Sequence, residues 1–105
     1  QVNAEYAGGR QLSGTGGSVD FMRAARVSRG GRSIIAMNAR ARTGSVSRIV
    51  PRVEMVTALR TDVDMVVTEY GVARLDGRSV PERAEALIEI AAPRFRDALR
   101  DEAPI

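Results

Sequence analysis

Three short stretches carry residue types that could do chemistry. The first is Ser13-Gly-Thr-Gly-Gly-Ser-Val-Asp-Phe21. Its glycines let backbone N–H groups come close to a ligand, and the start of a following helix aims unpaired donors at the same point. Such donors suit a phosphate or a developing oxyanion. The spacing is not a dinucleotide fingerprint, because Val19 stands where a third Gly would be. It is not a Walker loop either, because the chain has no Lys. The second stretch, Arg40-Ala-Arg-Thr-Gly-Ser45, puts two guanidiniums, two hydroxyls and a Gly within six residues, a set able to hold a phosphate. The third is Thr68-Glu69-Tyr70-Gly71. If the strand before it persists, Val63, Met65, Val67 and Glu69 share one face, with a carboxylate at the strand's carboxyl end, where ligands of α/β sheets bind. Each stretch has a plain structural counterpart: a tight turn, an exposed polar loop, and a strand that ends at Thr68 and releases Glu69 to solvent.

Composition narrows the chemistry to these groups. The 105 residues include no Cys, no His and no Lys, and all sixteen basic residues are Arg. Thiolate nucleophiles, imidazole proton shuttles and Schiff bases are therefore excluded within the chain, which leaves carboxylates, hydroxyls, backbone amides and guanidiniums. No set of residues suggests a metal centre: Asp62 and Asp64 alone make a poor one and read as edge or turn residues. Residues 1–52 hold nine Arg against Glu5 and Asp20, whereas residues 53–105 hold seven Arg against eleven acids, so the halves carry +7 and −4. The basic, glycine-rich half is the one suited to an anion. The length is that of one domain, 1–105, and no apolar stretch is long enough for a membrane helix. The sequence opens Gln1-Val2-Asn3 and reads as part of a longer cytoplasmic chain.

The elements that must position these groups follow from pattern and punctuation. Gly8 to Ser18 reads as an irregular loop feeding a helix over Ser18–Val27, with Ser18 as its cap. Ile34–Met37, Val46–Val50 and a segment near Met55–Leu59 read as short strands, and Val63–Thr68 as a strand apolar on both faces. The four methionines (22, 37, 55 and 65) read as core. Ser79-Val-Pro-Glu82 is a capping box that opens a helix with Ala84, Leu87, Ile88 and Ala91 as its apolar stripe, and Pro93 opens another with Phe95 and Leu99. The expected fold is α/β, a small mixed sheet flanked by helices.

Five stretches in order resemble the carboxyl-terminal domain of the acetyl-CoA hydrolase/transferase family, which includes 4-hydroxybutyrate and acetate CoA-transferases. They are Gln1-Val-Asn-Ala-Glu5, Ser13–Phe21, Gly44-Ser-Val-Ser-Arg-Ile-Val-Pro51, Asp62–Ala73 and Arg83-Ala-Glu-Ala-Leu87. The resemblance implies transfer of CoA between carboxylic acids through a glutamyl-CoA thioester, with the nucleophilic glutamate upstream of the matched stretch. Gly17 would give its N–H to the thioester oxygen, with Gly16 and Ser13 lining the same loop. Glu69 matches the glutamate of the family's V-T-E-x-G and would sit beside the nucleophile. Arg42 falls where the family has Lys in A-K-G-G, a position of CoA contact, and Thr43 replaces the first Gly of that motif. CoA and acyl-CoA are implied as substrates with no permanently bound cofactor. The implied partners are small carboxylates, the protein's own amino-terminal domain and further copies in a homo-oligomer. No membrane partner is implied. The alternative, a stand-alone binding module for a phosphate ligand or nucleic acid, rests on the basic half alone, and four aromatics are too few for base stacking.

Overall fold

The computed structural model describes residues 1–103. In chain order its elements are β1 (Tyr6–Ala7), β2 (Arg10–Gln11), α1 (Ser18–Val27), β3 (Ile34–Ala36), β4 (Arg40–Ala41), β5 (Val46–Ser47), β6 (Met65–Thr68), β7 (Gly71–Arg74), α2 (Val80–Glu89) and α3 (Arg96–Glu102). The central sheet runs β3-β6-β7, with β3 parallel and β7 antiparallel to β6; two small hairpins, β1-β2 and β4-β5, stand apart from it. This is the expected small mixed sheet with helices.

The sheet has two unlike faces. Val66 and Ala73 point into the core, where they meet Val63, Leu75, Ile49, the end of α2 (Ile88, then Ile90 and Ala91) and Leu99 of α3. The helices form as their sequence dictates. Ser79 Oγ accepts from the Glu82 N–H, while the Glu82 carboxylate accepts from the Ser79 N–H at 2.8 Å, with Pro81 in the first turn. Pro93 starts a single tight turn over Pro93–Phe95 that leads into α3.

One polar node sets the register of the sheet. The Asp64 carboxylate accepts from the Ser33 N–H at 2.8 Å and pairs with the Arg26 guanidinium at 3.1 Å. In return the Ser33 carbonyl accepts from the N–H groups of Asp64 and Met65, and the Asp64 carbonyl accepts from Leu75 N–H at 2.8 Å. Ser33 Oγ donates to the Asp62 carbonyl at 2.6 Å, and Arg23 reaches the Asp62 carboxylate at 3.4 Å. The end of α1 and the starts of β3 and β6 are thereby tied together. Asp62 and Asp64 do lie at turns, but they are buried ties between elements.

Other expectations need correction. The stretch expected as an irregular loop, Gly8 to Ser18, includes β2 and the turn that pairs it with β1, where Gly8 and Gly9 both have positive φ. The strand expected over Val46–Val50 is only Val46–Ser47, because the chain then leaves its partner on the way to Pro51. Near Met55–Leu59 there is only a bridge between Val2 and Ala58. Met55 lies exposed, outside the core. Gly17, not Ser18, occupies the cap position of α1, so no side chain caps that helix.

Replacing Asp64 with Ala removes the acceptor for a buried N–H and the partner of Arg26. It is expected to lower the unfolding free energy by about 2–3 kcal/mol in urea titration. Arg100→Ala, which breaks only exposed pairs with Glu85 and Asp97, should cost about 0.5 kcal/mol or less. Equal losses would contradict the node's role.

Candidate functional site

Glu69 and Tyr70 are the two residues that turn β6 into β7, since Thr68 pairs with Gly71. The strand ends at Thr68, so Glu69 does not share the strand face with Met65 and Val67. It is exposed, but it is not free. Its Oε1 accepts from the Ala39 N–H at 2.7 Å. That bond, the residue's own N–H and the nearby Arg40 charge hold the carboxyl below its ordinary value of 4.5, against a smaller opposing effect of desolvation. Glu69 is therefore an anion at neutral pH. Thr68 fixes the turn from below: its hydroxyl donates to the Ile90 carbonyl at 2.7 Å and accepts from the Tyr70 N–H at 3.1 Å.

The Ala39 contact brings Arg42 to the same end of the sheet. Ala39 leads into β4, and the β4-β5 hairpin holds Arg42, Thr43 and Gly44 at its tip. Arg42 and Thr43 both take positive φ, +47° and +52°, and Gly44 takes +89°. A β-branched residue is strained in this region. A glycine, which the related motif has at that place, adopts it without cost. The Arg42 carbonyl accepts from Thr43 Oγ1, Ser45 Oγ and Ser45 N–H, and Arg94 donates to the Gly44 carbonyl. The Arg96 guanidinium lies 5.6 Å from the Tyr70 ring centre. The turn and hairpin thus set Glu69 beside Arg40, with Arg94 on the Gly44 carbonyl, Arg96 beside the Tyr70 ring, and Arg42 exposed at the hairpin tip.

The glycine stretch is anchored elsewhere. Asn3 Oδ1 accepts from the N–H groups of Glu5 and Tyr6, and the Glu5 carboxylate accepts from Gln11 and from the Thr57 hydroxyl. Gln11 also donates to the Ser13 carbonyl at 2.7 Å. Gly16 has φ +66°, which calls for glycine. Gly17 has φ −102°, and a Cβ there would meet nothing within 4 Å. The fold of this chain does not require glycine at 17, while the uncapped first-turn N–H groups of α1 stay available beside it.

Glu69 and Arg42 are therefore joined through Ala39, whereas no hydrogen bond among the described residues links Ser13, Gly16 or Gly17 to Glu69. Both groups depart from the Arg26–Asp64 tie. Gly17 caps the far, amino-terminal end of α1, and Glu69 follows the far, carboxyl end of β6. Sequence reading missed the roles of Asn3, Glu5, Arg94 and Arg96. The first two stood in a visible motif, but Thr57, the partner of Glu5, is 52 residues away.

Comparison with known proteins covers nearly the whole chain. Residues 1–103 match the family model described as the acetyl-CoA hydrolase/transferase C-terminal domain. The chain is 51% identical over 105 residues to the 4-hydroxybutyrate coenzyme A transferase of Clostridium kluyveri, covering 97% of this chain and 24% of that protein. The crystal structure of RipA from Yersinia pestis superposes with a TM-score of 0.87 at 48% identity, over 95% of this chain and 23% of the other. A 4-hydroxybutyrate CoA-transferase from Porphyromonas gingivalis superposes at 0.74 with 53% identity, over 82% and 21%. The chain thus spans about a quarter of the length of these relatives.

Two outcomes follow from the site. Thr43→Gly should raise stability in urea titration by up to about 1 kcal/mol by removing left-handed strain, and a loss would contradict that strain. Glu5, Glu69 and Glu82 are all held below 4.5 by hydrogen bonds, so each adds stability above that pH. That stability is lost as pH falls through the lowered values. Thermal unfolding followed from pH 7 to pH 3 should show a falling midpoint below about pH 4.5, less steep in Glu69→Gln.

Proposed function

The chain belongs to the acetyl-CoA hydrolase/transferase C-terminal domain family, and on that premise we propose that it forms the carboxyl-terminal part of an enzyme moving CoA between carboxylic acids through a glutamyl-CoA thioester. The nucleophilic glutamate belongs to the rest of the enzyme. As a carboxylate attacks the acyl carbonyl, negative charge gathers on the carbonyl oxygen, and a fixed N–H donor there lowers the barrier. Gly17 is that donor, at the end of a loop lined by Ser13 and Gly16. The reading is supported by a glycine at 17 that this chain's own backbone does not need. The absent side chain leaves room for the thioester to approach the amide.

Glu69 sits beside the nucleophile and acts as a fixed charge. Its lowered proton affinity suits an anion that orients neighbouring groups and does not suit an acid that gives up a proton near neutrality. The observation that carries the reading most directly is the Glu69–Ala39 hydrogen bond. It joins the V-T-E-Y-G turn to the Arg42 hairpin, which supports one edge of the sheet serving both the reacting carboxylates and the CoA phosphates. Arg42, with a guanidinium in place of an ammonium, pairs with CoA phosphates. Small carboxylates are the second substrate, and an assembly of several copies in the cytoplasm completes the proposal.

In the full enzyme, Glu69→Gln is expected to lower kcat by more than about tenfold with the fold intact. Gly17→Ala should lower kcat/KM by a similar factor without lowering the melting temperature, since alanine adopts φ −102° freely. Steady-state assays with acetyl-CoA and butyrate, alongside thermal melts, check both. Wild-type rates in either variant would remove that residue from the site.

A further inference from the structure

The outer face of the central sheet is apolar and uncovered. By register, Ile34 and Met65 lie beside Arg74, and Ala36 and Val67 lie beside Val72. These side chains point away from the core, and none of them belongs to the core or packs against it. Ile34 is 53% and Val72 55% exposed. Sheets with one face in water carry polar residues on that face, whereas parallel strand pairs occur where both faces are covered. The β3-β6 pair is parallel, and five of the six outer positions on the three strands are apolar.

We propose that this face is a docking surface for one amphipathic helix supplied by the remainder of the full-length protein, with an apolar stripe over Ile34, Met65, Val67 and Val72 and an acidic residue opposite Arg74. The dimensions fit a single helix. Three strands span about 10 Å between the outer two, which is the width of one helix with its side chains. The occupant comes from the family's own anatomy: in relatives whose fold matches this chain, three quarters of the polypeptide lies outside the matched part. The inference rests on family membership and not on the catalytic reading, so a failure of docking and a failure of transfer are read in separate assays.

The test places a charge on the face and reads stability in two settings. Val72→Glu in the full-length protein should lower the melting temperature by at least about 5 °C, because it buries an unpaired carboxylate under the helix. In the 105-residue chain alone the same change meets water and should leave the melting temperature unaltered. Val56→Glu, at an exposed position outside this face, should be tolerated in both. A second measurement needs no variant: peroxide should oxidise Met65 more slowly in the full-length protein than in the chain alone, with Met55 as internal reference. A full-length protein that tolerates Val72→Glu, or Met65 oxidised equally fast in both, would overturn the proposal. Protection of Met65 that appears only as protein concentration rises would assign the face to a second copy and overturn it equally.

Discussion

The Asp64 carboxylate is the interaction on which the arrangement rests. Helix α1 buries none of its residues, so apolar contact alone does not fix it. Its end is held by Arg26 on Asp64 and Arg23 on Asp62, two acids that are themselves nearly removed from solvent. Breaking an ion pair whose acid is largely buried costs more than breaking a surface pair, because it strands a desolvated carboxylate and the backbone donors it satisfies. The same carboxylate meets Ser33 and so fixes where β3 begins against β6. Everything at the ends of these elements, including the uncapped start of α1, inherits its place from that node.

At the other end of β6 the chain uses a different device. Thr68 spends its hydroxyl twice and Glu69 spends one carboxylate oxygen on a backbone N–H, so a two-residue turn holds a hairpin with a strained tip. The strain at Arg42 and Thr43 is a local cost borne by the surrounding bonds: three donors on the Arg42 carbonyl and Arg94 on Gly44. A backbone held in a costly conformation directs its side chains where a relaxed loop would not. The proposed contact of Arg42 with CoA needs such direction, because a planar guanidinium tolerates less misplacement than an ammonium.

Much of this was legible in the sequence where the signal is local. The bounds of α1, the Ser79 capping box and the strand ending at Thr68 follow from periodicity and punctuation. The family motifs picked out Glu69 and the loop at Gly17. What escaped depends on partners far along the chain. β7 is four residues with an exposed Arg at its end, and it is a strand only because β6 lies beside it. Asp62 and Asp64 look like solvent-facing turn residues until Arg23, Arg26 and Ser33 are brought to them. Glu69 could be placed at a strand end, but its hydrogen bond to Ala39, thirty residues earlier, leaves no trace in spacing.

The distribution of the core has a consequence for how the two halves of the chain hold together. Of the buried residues in its main cluster, Val63, Val66, Ala73, Leu75, Ile88, Ile90, Ala91 and Leu99 come from the acidic half and Ile49 from the basic one. The amino-terminal half is thus held to the apolar carboxyl-terminal nucleus by charge, through Arg23 and Arg26, and by backbone pairing, with the partly buried Val2, Met22, Ile35 and Met37 packed against it. Dissolved electrolyte weakens the first kind of bond and spares the second. Ionic strength is therefore a partial handle: added salt should loosen the ties of α1 on the side where Arg23 and Arg26 stay open to water, while the nucleus beneath stays folded.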